Sequence, residues 1–158
     1  MIKIHQPPTK KPDWLKVKLN TSSNFSDMKN LMSENSLHTV CEEARCPNIY
    51  ECWDKRTATV MILGDTCTRS CGFCSVKTGR PMPVDSDEPN RVAKLVKTLN
   101  LRHVVITSVD RDELKNDYGA ITWHDTILAI RDSVPDCTIE VLTPDFHKKT
   151  EALNILSN

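Results

Sequence analysis

Thr59-Val60-Met61-Ile62-Leu63-Gly64-Asp65-Thr66-Cys67-Thr68-Arg69-Ser70-Cys71-Gly72-Phe73-Cys74 joins a short apolar, β-branched run to a glycine and then to three cysteines. Residues 59–63 read as a strand that Gly64 ends, which puts the cysteines on the loop leaving that strand. Three thiolates on one short loop, spaced CxxxCxxC, can hold three irons of a four-iron, four-sulfur cubane. No fourth cysteine follows nearby, so one iron stays open. An open iron accepts a small chelator, such as the amine and carboxylate of an amino acid. A closed zinc site would need four ligands and usually paired CxxC knuckles, which this loop lacks.

Beyond the loop, β-branched runs alternate with amphipathic stretches. Val92, Leu95, Val96 and Leu99 fall at helical spacing and predict a helix from near Pro89, capped by Asp87 or Ser86. Residues 103–107 predict a second strand, 121–132 a second helix with Trp123, Ile127 and Ile130 on one face, 138–142 a third strand and 148–156 the start of a third helix. Near-continuous apolar strands separated by helices imply a parallel sheet with right-handed crossovers, so all strand C-termini share one face. Cys67, Cys71 and Cys74, then Ser108, Asp110 and Arg111, then Thr143, Pro144 and Asp145 should converge there. In barrel-type α/β folds that face carries the chemistry.

Upstream, residues 1–30 are rich in lysine, proline and serine and predict an extended arm, basic through Lys3, Lys10, Lys11, Lys16 and Lys18 and pinned by Trp14, Leu15 and Val17. Between residues 32 and 53, Leu37, Val40 and Ala44 suggest a short helix that Pro47 interrupts. Here lies a second triplet, Cys41, Cys46 and Cys52, spaced CxxxxCxxxxxC. Taken alone it also suits zinc, with His38 as fourth ligand; beside the first triplet a second cluster is the better reading. Cys137 reads as a small core residue, Trp53 and Trp123 as core, Glu42 and Glu43 as a solvated helix face, and Asp85, Asp87 and Glu88 as first-turn carboxylates.

The 158 residues suit one domain with a modest core, and 39% hydrophobic composition fits a globular chain. Lysine plus arginine and aspartate plus glutamate are each 21, so no net field favours nucleic acid or anionic lipid. Without a long apolar run or signal-like start, neither nucleic acid nor membrane is an expected partner and the expected location is cytoplasmic. In a reducing compartment seven cysteines point to metal or redox chemistry rather than disulfides.

The stretch Leu37-His38-Thr39-Val40-Cys41-Glu42-Glu43-Ala44-Arg45-Cys46-Pro47-Asn48-Ile49-Tyr50-Glu51-Cys52-Trp53 resembles the lipoyl synthase family. So do the CxxxCxxC loop, residues 87–93, 105–112 and 140–146, and the leader Pro12-Asp13-Trp14-Leu15-Lys16-Val17. The resemblance implies a partial (β/α) barrel of radical S-adenosylmethionine type, with only about the first three βα units present. Residues 1–56 would be an extension carrying Cys41, Cys46 and Cys52, and residues 57–158 the amino-terminal half of the barrel.

It further implies two [4Fe-4S] clusters and S-adenosylmethionine. Cys67, Cys71 and Cys74 would hold the cluster whose open iron chelates that cofactor, and the 5′-deoxyadenosyl radical so generated would take hydrogen from an octanoyl chain on a lipoyl-carrier protein. Cys41, Cys46 and Cys52 would hold an auxiliary cluster consumed as sulfur donor. Phe73 near the adenine, with Thr107, Ser108, Asp110 and Glu140, would complete the cofactor contacts. A reductant such as ferredoxin or flavodoxin would supply electrons.

Against the family pattern, the chain ends after about three of roughly six barrel units, and the serine segment that ligates the auxiliary cluster is not present. Tyr118 stands where the family usually has glycine, which predicts an altered loop because tyrosine fits a left-handed position poorly. An unpaired third-strand edge and uncovered apolar faces predict aggregation, dimerisation or a complementing carboxy-terminal fragment, and weak or no activity alone. Another radical S-adenosylmethionine sulfur-inserting enzyme, or a non-catalytic cluster- or zinc-binding remnant, are the competing readings.

Overall fold

The computed structural model describes Pro12 and residues 22–157. The basic arm and its anchors Trp14, Leu15 and Val17 lie outside the described residues.

Four strands form the main sheet in the order β1 (His38–Thr39), β2 (Thr59–Ile62), β5 (His103–Ser108), β6 (Thr138–Leu142). β2, β5 and β6 are parallel, in the register Val60↔Ile106↔Val141, while β1 runs antiparallel to β2. The expected parallel α/β arrangement is therefore present, with one added strand drawn from the amino-terminal extension. Two further short strands, β3 (Thr66–Cys67) and β4 (Lys77–Thr78), pair with each other and close the base of the cysteine loop.

Helices α4 (Glu88–Thr98), α5 (Ala120–Ser133) and α6 (Thr150–Ser157) follow β2, β5 and β6 in the chain. The periodicity that predicted α4 is realised: Val92, Leu95, Val96 and Leu99 are all buried, with Val60, Ile62, Val104 and Ile106 of the sheet in the same core. Trp123 and Ile130 of α5 are buried and Ile127 half-buried, and Cys137 joins the core as expected. Asp87 stands at the amino-terminal end of α4 but its side chain caps nothing. Asp85 accepts the Asp87 N–H instead, at 2.9 Å.

The extension departs from the predicted arm. Residues from Ser23 onward form α1 (Ser23–Glu34), because Ser22 caps it through Phe25 N–H at 3.2 Å and Met28 and Met32, one turn apart, are buried. Phe25 stacks on Tyr50 with centroids 5.0 Å apart and lies 5.2 Å from Trp53. Serine and lysine content masked that buried stripe in the sequence. Between residues 32 and 53 the expected short helix, interrupted at Pro47, is present as two, α2 (Val40–Glu43) before that proline and α3 (Ile49–Asp54) after it, with Leu37 buried ahead of both. Arg45 takes a left-handed φ of 50° between them and closes α2 through a Cys46 N–H bond to Cys41 O at 3.0 Å.

At the other edge, β6 pairs only with β5 among the described residues. Leu142, Leu128 and Leu153 are exposed there, and a groove of about 200 Å³ runs between α5, β6 and α6, lined by Ile127, Leu128, Ile139, Val141 and Leu156. No helix among the described residues is long and apolar enough to cross a membrane.

If α1 is held by its buried methionine stripe, Met28→Ala should lower stability by about 3 kcal/mol, the scale of a core methionine truncation. Urea unfolding of the whole chain measures it, and a loss below about 0.5 kcal/mol, the level of a surface change, would show that α1 is not docked.

Candidate functional site

The site begins where β2 stops. Leu63 and Gly64 both take left-handed backbone, with φ of 68° and 90°, and swing the chain out of the sheet toward Cys67. A leucine in that conformation is strained, so something must hold it. Glu88, only 4% exposed, accepts the N–H of Leu63 at 2.8 Å and that of Gly64 at 3.4 Å. Arg111, also 4% exposed, donates to Leu63 O at 2.9 Å and to Met82 O at 2.8 Å. Both polar groups of Leu63 thus end on a buried charged side chain. Burial pushes the Glu88 carboxyl above its ordinary range, against the pull of the two N–H groups. The reading of Glu88 as an ordinary first-turn carboxylate is corrected: its side chain turns inward to the end of β2.

Cys67 lies half-buried at the end of β3 and its sulfur accepts two main-chain N–H groups, from Arg69 and Asp110, each at 3.4 Å. Cys71 and Cys74 are exposed and share a turn, Cys74 N–H to Cys71 O at 3.0 Å. The loop is sewn to the segment after β5. Thr68 N–H and Oγ1 both donate to Asp110 O, at 3.1 and 3.0 Å, and Thr68 Oγ1 receives Asp112 N–H at 3.2 Å. Arg69 pairs with Asp110 at 3.4 Å, Asp112 at 2.6 Å and Asp145 at 2.9 Å, bringing together the segments after β2, β5 and β6. Of the residues predicted to converge at the strand ends, these contacts bring together Cys67, Asp110 and Asp145, whereas Arg111 turns to Leu63 and Ser108 to Trp123. Burial pushes the Asp110 carboxyl up, whereas the Arg69 guanidinium holds Asp112 down.

The second triplet sits on the extension. Thr39 caps α2 by accepting Glu42 N–H at 3.2 Å, which sets Cys41, and Cys52 N–H bonds to Asn48 O at 3.0 Å at the start of α3. All three cysteines are half-buried. Burial raises the Cys52 thiol, with a further push from the charge of Cys41 and Cys46. His38 faces Glu43 at 3.6 Å instead. Among the described residues no three histidine, cysteine or carboxylate groups converge on a single metal ion. A cubane takes one thiolate per corner iron and does not ask for that convergence.

The other predicted contacts divide. Asp110 lies against Cys67, Oδ2 to Sγ 3.9 Å. Thr107 Oγ1 donates to Leu142 O at 3.0 Å, and Ser108 Oγ accepts the Trp123 indole N–H at 3.2 Å, on the helix side of the sheet. Glu140 pairs with His103 at 3.4 Å on the opposite, open face. Phe73 is 94% exposed and packs on nothing.

A family model for the N-terminal domain of lipoyl synthase of Radical SAM family matches residues 3–46. "Lipoyl synthase" of Geobacillus kaustophilus (strain HTA426) is 58% identical over 148 residues, 93% of this chain and 49% of the relative. "Lipoyl synthase" of Shouchella clausii (strain KSM-K16) is 56% identical over 148 residues, 93% of this chain and 48% of the relative. The chain is similar to lipoyl synthases over 93% of its own length. It spans about half the length of the curated relatives it matches.

Tyr118 takes a left-handed φ of 53° ahead of Gly119 at 88°, held by its N–H to Leu114 O at 2.8 Å and by an edge contact with the His147 ring at 5.5 Å. At Gly119 a side chain would be strained by the left-handed φ of 88°, and its Cβ would meet Leu63 Cδ1 at 2.5 Å, so the leucine side chain would have to shift. Glu88 and Arg111 were the residues hardest to read from this lipoyl synthase-like sequence. The only sequence signal for Glu88 is a glutamate directly before a helix-starting proline.

Glu88→Ala should cost about 2 kcal/mol by orphaning the Leu63 N–H, read by urea unfolding. Because its folded pKa is raised, the titration of Glu88 favours the folded state most below its ordinary value of 4.5 and less as pH rises through the folded value. The stability of wild type relative to Glu88→Gln should therefore fall as pH is raised; a flat difference would contradict the assignment.

Proposed function

We propose that this chain carries the cluster-binding part of a lipoyl synthase: a radical S-adenosylmethionine sulfurtransferase acting on the octanoyl chain of a lipoyl-carrier protein, with electrons from a ferredoxin- or flavodoxin-like donor. One observation carries the reading. A three-cysteine loop stands at the shared strand ends of a parallel sheet, with a second cysteine triplet gathered on the adjoining extension, in a chain similar to lipoyl synthases.

The donor sets suit two [4Fe-4S] clusters. Cys67, Cys71 and Cys74 would hold the first, and Cys67 already receives the two N–H groups that stabilise a charged sulfur. Cys41, Cys46 and Cys52 would hold the second. When bound, such clusters supply the one-electron cleavage of S-adenosylmethionine and the donated sulfur, chemistry beyond any side chain of the chain. What the chain itself contributes is placement: β2 delivers the loop, Thr68 and Arg69 fasten it, and Thr107 near the end of β5, Asp110 after it and Glu140 within β6 are the candidates for contacts to the nucleotide. Ser108 and Phe73 would have to leave their present surroundings to join them. The open β6 edge and its apolar groove are where further βα units of a barrel would pack.

Anaerobic reconstitution followed by iron and sulfide analysis tests the proposal. About eight irons per chain are expected for two cubanes. Cys67→Ala should remove one cluster and Cys41→Ala the other. Stoichiometric zinc without labile sulfide, or a colourless protein that does not retain S-adenosylmethionine, would overturn it.

A further inference from the structure

We propose that Arg69 is the positioning residue that locks the cysteine loop onto the exits of β5 and β6, keeping Cys67 set inward while Cys71 and Cys74 face solvent. The inference deepens the proposed function, since it assigns a role in presenting the first triplet.

Arg69 stands two residues after Cys67 and two before Cys71, so fixing it limits the freedom of both. Its guanidinium uses all three nitrogens. Nε and Nη2 take the two oxygens of Asp112 at 2.8 and 2.6 Å, and Nη1 reaches Asp145 at 2.9 Å and Asp110 at 3.4 Å. Its own main-chain N–H donates to the Cys67 sulfur, as does that of Asp110, one of its carboxylate partners. One residue thus ties the sulfur through its backbone and joins its own loop to two others through its side chain. A lysine carries a single ammonium on a flexible stem and cannot make the forked pair with Asp112 while also reaching Asp145. An ion pair that merely added stability would loosen the whole chain when removed. A positioning residue would release Cys67 selectively.

The test is made on the whole reduced, metal-free chain, by following iodoacetamide alkylation of each cysteine with mass spectrometry. In the wild type Cys67 should react more slowly than Cys71 and Cys74. Arg69→Met and Arg69→Lys should each speed Cys67 about tenfold, as expected when a local closure is lost, while Cys41, Cys46 and Cys52 keep their rates. After anaerobic reconstitution the same variants should lose, or shift the electron paramagnetic resonance signal of, the cluster that Cys67→Ala abolishes and leave the other unchanged. Wild-type rates at Cys67 in Arg69→Lys would overturn the proposal, as would a uniform rise at all six clustered cysteines. If Arg69→Met does not fold, Asp145→Ala severs the tie to the β6 exit, together with the cap that Asp145 gives the His147 N–H; a selective, smaller rise at Cys67 supports the proposal and no rise overturns it. Failure of the wild type to take up iron would sink the proposed function, yet leave the alkylation comparison to decide the role of Arg69.

Discussion

The turn at Leu63 is the constraint on which the arrangement depends. A parallel strand must hand its chain to the functional face, and here it does so through two consecutive left-handed residues, the first a leucine. Left alone, that backbone would relax, and its N–H and C=O, buried with the leucine, would lack water. Glu88 from the next helix takes the N–H, and Arg111 from beyond β5 takes the carbonyl. These two side chains are nearly fully buried, a state charged groups tolerate only when their hydrogen bonds are satisfied. Gly119 then lets the start of α5 press against the Leu63 side chain, closing the turn from a third side.

From this turn the rest of the site follows. The chain passes through Thr66 into Cys67, and the β3–β4 pairing closes the base of the loop so that Cys71 and Cys74 project at its tip. Thr68 and Arg69 attach it to the two neighbouring strand exits. Three carboxylates gather around one guanidinium, and the different fates of Asp110 and Asp112 reflect their settings: burial dominates the first and the forked bond to Arg69 the second. The result is a firmly held root and an exposed tip, which suits the cluster-binding role proposed for this loop.

From residue 22 onward the extension is joined to this body. His38 and Thr39 add a strand beside β2, and Arg91 of α4 donates to Asn35 O at 2.8 Å, fastening the end of α1. The second cysteine triplet therefore belongs to the same body as the first. Its members come from one helical turn, a left-handed corner and a second short helix, braced by the Phe25, Tyr50 and Trp53 cluster.

By itself the sequence determined the βα alternation, the helix over Val92 to Leu99, the core roles of Trp53, Trp123 and Cys137, and both cysteine triplets. Each of these is written in local periodicity or spacing, which neighbouring residues along the chain express directly. It did not show α1, because a serine- and lysine-rich surface hides a two-methionine stripe whose partners lie in α3. Nor did it show that Glu88 and Arg111 turn inward, that Ser108 is engaged by Trp123, or that Arg69 would meet Asp112 and Asp145. Those outcomes were decided by tertiary structure, since a charged or polar side chain chooses between water and a buried partner only once residues distant in sequence have been brought within hydrogen-bond reach.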